Sequence, residues 1–80
     1  MNQTEIKSKV REILVGILKH DEISMEDSMT ASDVKGWDSL SHMIIIKEIE
    51  SAFSIRFKLK DLNKLVDMGS LVAMIETKMA

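Results

Sequence analysis

Cysteine and proline are both absent from the 80 residues, and glycine occurs only three times. Without cysteine, no disulfide and no thiolate metal site can brace the molecule, so stability must come from packing. The missing proline and scarce glycine point to helices over a strand-rich fold. Long apolar runs are missing too, since no stretch nears the roughly 18 residues that a membrane span needs. Basic excess is also lacking: the net charge is −2, which argues against a nucleic-acid binder, whose phosphate contacts call for a basic face. Asn2 to Glu5 do not follow the basic-then-apolar plan of a secretory signal, so a cytoplasmic product is expected. What is present is a 45% apolar, 30% charged composition, that of a soluble globule and not of a disordered tail. A chain of this length makes one domain, residues 1–80, with a thin core.

Ile6, Val10, Ile13, Leu14 and Ile17 recur at helical spacing, and Asn2 followed by Glu5 resembles a capping box. A first helix is expected over about residues 3 to 19. From His20 to Asp38 the period breaks up into Ser, Thr, Gly and acidic residues, with Ile23, Met25, Met29, Val34 and Trp37 left to pin the segment down. An ordered loop this long in so small a domain points to function. A second helix should begin at Asp38 or Ser39, both good N-caps, and run to about Phe53. Ala52, Ile45, Ile49, Phe53 and Ile46 form its core arc, while Leu40, Met43 and Ile44 fall outside it. Leu59, Leu62 and Leu65 suggest a brief third helix near residues 59 to 65 with Lys58, Lys60 and Lys64 outward. Asp67 reads as the cap of a last helix with Leu71, Val72, Ile75 and Met79 facing inward.

No catalytic motif emerges. His20 and His42 are the only histidines, and neither has a second ligand at metal-site spacing. The acidic stretch Asp21 to Asp33 lacks the alternating oxygen ligands around a glycine that a calcium loop requires. There is no glycine-rich phosphate loop and no recognisable Ser-His-acid set. The expectation is a non-enzymatic protein without a metal.

Gly36-Trp37-Asp38-Ser39-Leu40, at the junction of the long loop and the second helix, closely resembles the attachment motif of acyl carrier proteins. The resemblance extends through Val34 to Phe53, the exit Phe53-x-Ile55-x-Phe57, and Leu62 to Ile75, so it covers essentially the whole chain. It implies an all-α fold, a four-helix bundle of acyl-carrier type with three longer helices, a short third helix and a long loop between helices 1 and 2. It also implies that a phosphopantetheinyl transferase moves 4'-phosphopantetheine from coenzyme A onto Ser39, using a magnesium ion that belongs to the transferase. The arm would then hold acyl thioester cargo for partners such as an acyl-ACP synthetase, a ketosynthase or an acyltransferase, in fatty acid, polyketide or specialised lipid biosynthesis. A monomer is expected. Two other readings stay open: an aminoacyl or peptidyl carrier, disfavoured by Gly-Trp-Asp in place of a Gly-Gly lead-in, and a helical interaction module that is never modified.

Within this resemblance Asp38 and Leu40 complete the attachment motif, and Asp38 serves as helix cap, as transferase contact, or as both. An added phosphodiester on Ser39 should sit near free backbone N–H groups and the positive end of the helix dipole. Gly36 should permit a tight loop end, Trp37 should anchor the loop to the core, and His42 should be partly buried and hydrogen-bonded. Leu40, Met43 and Ile44, with Lys47, Glu48 and Glu50, are the expected docking surface. Ile44, Lys47, Ser51, Lys58, Lys60 and Lys64 stand where acidic residues are typical of the family. That departure suggests a dedicated pathway with a more apolar docking face.

Overall fold

The computed structural model describes residues 2–79, and no strand occurs among them. Helix α1 spans Gln3–Leu18, α2 Ser39–Phe53, α3 Leu59–Leu62 and α4 Met68–Met79, with one turn of 3-10 helix at Ala31–Asp33 in the long loop. This is the expected all-α arrangement of three longer helices and one short one.

Each helix boundary has a local cause. The Asn2 side chain accepts the Glu5 N–H at 2.9 Å and opens α1. Lys19 turns left-handed at φ 63° and its N–H reaches the Val15 carbonyl, so α1 stops at Leu18, one residue earlier than expected. Ser54, at φ 55°, ends α2 in the same way. The third helix is a single turn and does not reach Leu65, as the leucine spacing had suggested. After Leu62 the turns tighten, Lys64 N–H donating to the Asp61 carbonyl at 3.0 Å and Leu65 N–H to that of Leu62 at 3.2 Å, and beyond them Ser70 Oγ accepts the N–H groups of Val66 and Asp67, both at 3.0 Å. The Asp67 carboxylate in turn accepts the Ser70 N–H at 2.8 Å, capping α4 as expected.

The core joins Ile6, Val10 and Leu14 of α1 to Ile45, Ile49 and Phe53 of α2 and to Met68, Leu71, Val72 and Ile75 of α4. Helix α1 packs against both α2 and α4. Two inward assignments are corrected. Ala52 is exposed, because it lies at the edge of the α2 arc in the last turn and its methyl is too short to reach the core. Met79 is exposed as well, at the end of α4 beyond the last core position, Ile75.

The loop is tied at several points. Ile23, Met29 and Val34 are buried in the core, with Met25 and Trp37 packed against it. Its backbone also meets the first turn of α4: Met68 N–H donates to the Met29 carbonyl at 2.8 Å and Gly69 N–H to the Asp27 carbonyl at 2.9 Å. Gly69 suits this approach, since a Cβ there would lie 3.1 Å from the Asp27 Cβ and 3.2 Å from its carbonyl oxygen, closer than ordinary packing. His20 joins the loop ends, with Nε2 at 2.6 Å from the Lys35 carbonyl and Nδ1 accepting the Glu22 N–H.

Candidate functional site

The loop delivers the chain to the start of α2 through Gly36, whose φ of +86° suits a residue without a Cβ. Asp38 then caps the helix, its Oδ1 accepting the N–H groups of Leu40 at 3.0 Å and Ser41 at 2.9 Å. Ser41 answers, its Oγ accepting the Asp38 N–H and donating to the Gly36 carbonyl, both at 2.8 Å. The Ser41 backbone N–H, with the Ser41 hydroxyl and the Leu40 N–H behind it, holds the Asp38 carboxyl below the ordinary carboxylate value. Ser41 was not singled out in the sequence, although Asp38-x-x-Ser41 has the spacing of a reciprocal cap.

Ser39 is the first residue of α2 and is exposed. No hydrogen bond among the described residues engages its hydroxyl, which opens onto a shallow cleft shared with Ala31, Ser32, Trp37, Asp38 and His42. The expectation of free N–H groups beside Ser39 is narrowed, because Asp38 already occupies those of Leu40 and Ser41 and only the N–H of Ser39 itself has no hydrogen bond among the described residues.

Trp37 and His42 wall the cleft. Trp37 Nε1–H donates to His42 Nδ1 at 3.1 Å, and the rings lie 6.1 Å apart at 25°. His42 must therefore keep Nδ1 unprotonated. Both side chains are half-buried, as expected for an anchor and a hydrogen-bonded histidine. Behind them lies a cavity of about 50 Å³, apolar for the most part, bounded also by Met29, Ile46, Leu65 and Leu71.

On the next face of α2, Leu40, Met43 and Ile44 are exposed, at 77%, 59% and 48%, which is high for large apolar residues. With Ile46, Lys47 and Glu50 they line one shallow groove, and Glu48 is exposed outside it. Glu50 also has a task within the fold, since its carboxylate accepts the Phe57 N–H at 2.8 Å and holds the link after α2. No group of residues that could hold a metal ion occurs among those described.

A family model described as phosphopantetheine attachment site matches residues 8–75, a span centred on this cap and cleft. The chain belongs to the acyl carrier proteins. It is 32% identical to an acyl carrier protein of Thermotoga maritima over 98% of this chain and 96% of that relative. Identity is also 32% to one from an Exiguobacterium species, over 99% of this chain and 100% of the relative. The carrier's structure is similar to the solution structure of a holo acyl carrier protein from Geobacter metallireducens, with a TM-score of 0.84 and 32% identity over 91% of this chain and 84% of that one. The carrier thus has a family cofactor, phosphopantetheine, and family partners, a phosphopantetheinyl transferase and acyl-handling enzymes. No described helix is long and apolar enough to cross a membrane.

Proposed function

We propose that Ser39 is the attachment residue of this carrier and that residues 1–80 act as a single carrier domain. The observation that carries the reading is the exposed Ser39 hydroxyl, free of hydrogen bonds, on the first turn of α2 and next to a fully engaged cap. The site suits the group because an open cleft leaves room for a phosphodiester and its chain. When bound, the arm supplies a thiol that holds acyl cargo as a thioester. The protein's own residues provide the rest: Asp38 and Ser41 fix the helix start, Gly36 shapes the approach, and Trp37 with His42 forms the wall along which the arm leaves.

Leu40, Met43 and Ile44, flanked by Lys47 and Glu48, present an apolar face within reach of the arm and serve to dock acyl-ACP synthetase, ketosynthase or acyltransferase partners. Contact there is governed more by apolar burial than by charge. The carrier acts as a cytoplasmic monomer without nucleic-acid partners, in keeping with its net charge of −2.

Incubation with coenzyme A, magnesium and a broad-specificity transferase should add one phosphopantetheine mass, and Ser39→Ala should add none while keeping its helical circular dichroism. Modification of the alanine variant, or of no residue in the wild type, contradicts the assignment.

A further inference from the structure

Charge is unevenly distributed along the carrier. His20 to Phe53 hold eight acidic residues against Lys35 and Lys47, whereas Ser54 to Met79 hold five basic residues against Asp61, Asp67 and Glu76. The basic residues of this second part converge. Lys58, Lys60 and Lys64 rim an open groove between α3 and the outer face of α4, whose floor is formed by Ala73, Met74 and Thr77.

Internal pairing does not account for these lysines. Asp61, buried beneath them, is taken by Lys78 at 2.7 Å and by the Lys58 N–H at 2.8 Å. Among the described residues the only other ion pair is Lys7 with Asp27, on a different part of the molecule. The Asp61–Lys78 pair links α3 to α4 beside the groove, whereas Lys58, Lys60 and Lys64 make no ion pair among the described residues.

We propose that this groove is a second docking surface, separate from the Ser39 face, and that it receives an acidic amphipathic segment of a protein partner. Charge complementarity selects the acidic face, and the Ala73 and Met74 floor selects an apolar edge beside it. A bilayer fits less well: of the four lysines lining the groove Lys78 is paired with Asp61, and the three left fall short of the roughly four to eight that mark anionic-lipid surfaces. Nucleic acid is disfavoured by the net charge of −2. The groove and the Ser39 cleft share no lining residue, so a partner held here leaves the residues of that cleft open to an enzyme.

The test is amide chemical-shift mapping of the full chain with a helical peptide bearing Glu along one face and Leu along the other. Parallel samples receive the same peptide with Gln for Glu, phosphatidylglycerol vesicles, and a single-stranded oligonucleotide. Shifts confined to Lys58 to Lys64 and Ser70 to Lys78 are expected, fading as salt is raised. The Gln peptide should bind about tenfold more weakly, as loss of a few exposed ion pairs implies. Lys60→Glu with Lys64→Glu should abolish the shifts, and Lys60→Gln with Lys64→Gln should weaken them. Both variants should accept phosphopantetheine on Ser39 at the wild-type rate, so this proposal and the Ser39 assignment fail independently. Equal binding of the Gln peptide, shifts centred on Leu40 to Ile44, or groove binding by vesicles or oligonucleotide in place of the peptide overturns it.

Discussion

At the scale of single residues, the start of α2 separates side chains that hold the fold from those that face outward. Ile44 and Ile49 are one and a half turns apart on the same helix, yet Ile44 is 48% exposed and Ile49 is completely buried. Ile49→Ala should cost about 2 to 5 kcal/mol in a denaturant titration, whereas Ile44→Ala should cost well under ~1 kcal/mol and instead slow transfer to a cognate enzyme. Equal destabilisation would mean that the face proposed for docking is part of the core. Asp38 gives a pH dependence of known sign. Its carboxyl is held below the ordinary value of about 4. The stabilisation is therefore complete above that value and is lost as pH falls through the lower folded-state pKa. Asp61, lowered by the Lys78 hydrogen bond first and the Lys58 N–H second, behaves the same way. Melting temperature should drop below about pH 4, and Asp38→Asn and Asp61→Asn should each flatten part of that drop. An unchanged acid profile in both variants would contradict the sign.

At the scale of elements, the helix ends show where sequence reading succeeded and where it stopped. Asp38, Asp67 and Asn2 were legible as caps because an Asp or Asn before an apolar period carries a local signal. Lys19 and Ser54 were not, since left-handed positions usually announce themselves by Gly or Asn. The end of α3 was hidden for another reason, because the tightened turns at Lys64 and Leu65 leave the leucine spacing intact and the Ser70 hydroxyl that holds Val66 and Asp67 lies outside that pattern. The left-handed ends give a direct prediction. A side chain in that conformation costs about 1 kcal/mol, so Lys19→Gly and Ser54→Gly should each raise the melting temperature. A fall on either substitution would show that the lost side chain contributes more than the backbone relief. The loop and α4 should also open together, because the N–H groups of Met68 and Gly69 donate to loop carbonyls. Hydrogen exchange at these two amides should match the slow amides of α1, and rapid exchange there would show the loop lifting independently.

At the scale of the whole molecule, the family was legible because its resemblance is concentrated in one short segment, Gly36 to Leu40, at a predictable place in the helix order, and Ser39 within it is the residue proposed to carry the arm. The long-range ties were not legible. Neither the meeting of Asp27 with Gly69 nor the pairing of Asp61 with Lys78 leaves any periodic trace, since each joins residues far apart in the chain. The wall between Trp37 and His42 has a further consequence. Trp37 is the only tryptophan in a chain without tyrosine, and its indole shares the cleft with Ser39 while its N–H is held by His42. The protein therefore carries its own optical reporter beside the residue proposed to bear the arm. Ultraviolet emission comes almost wholly from one indole, whose colour follows the polarity of its surroundings and whose brightness follows its contact with imidazole. Loading the arm, and then exchanging its cargo, should be readable as a shift in that emission without a dye, and each turnover could be followed in real time in a cuvette.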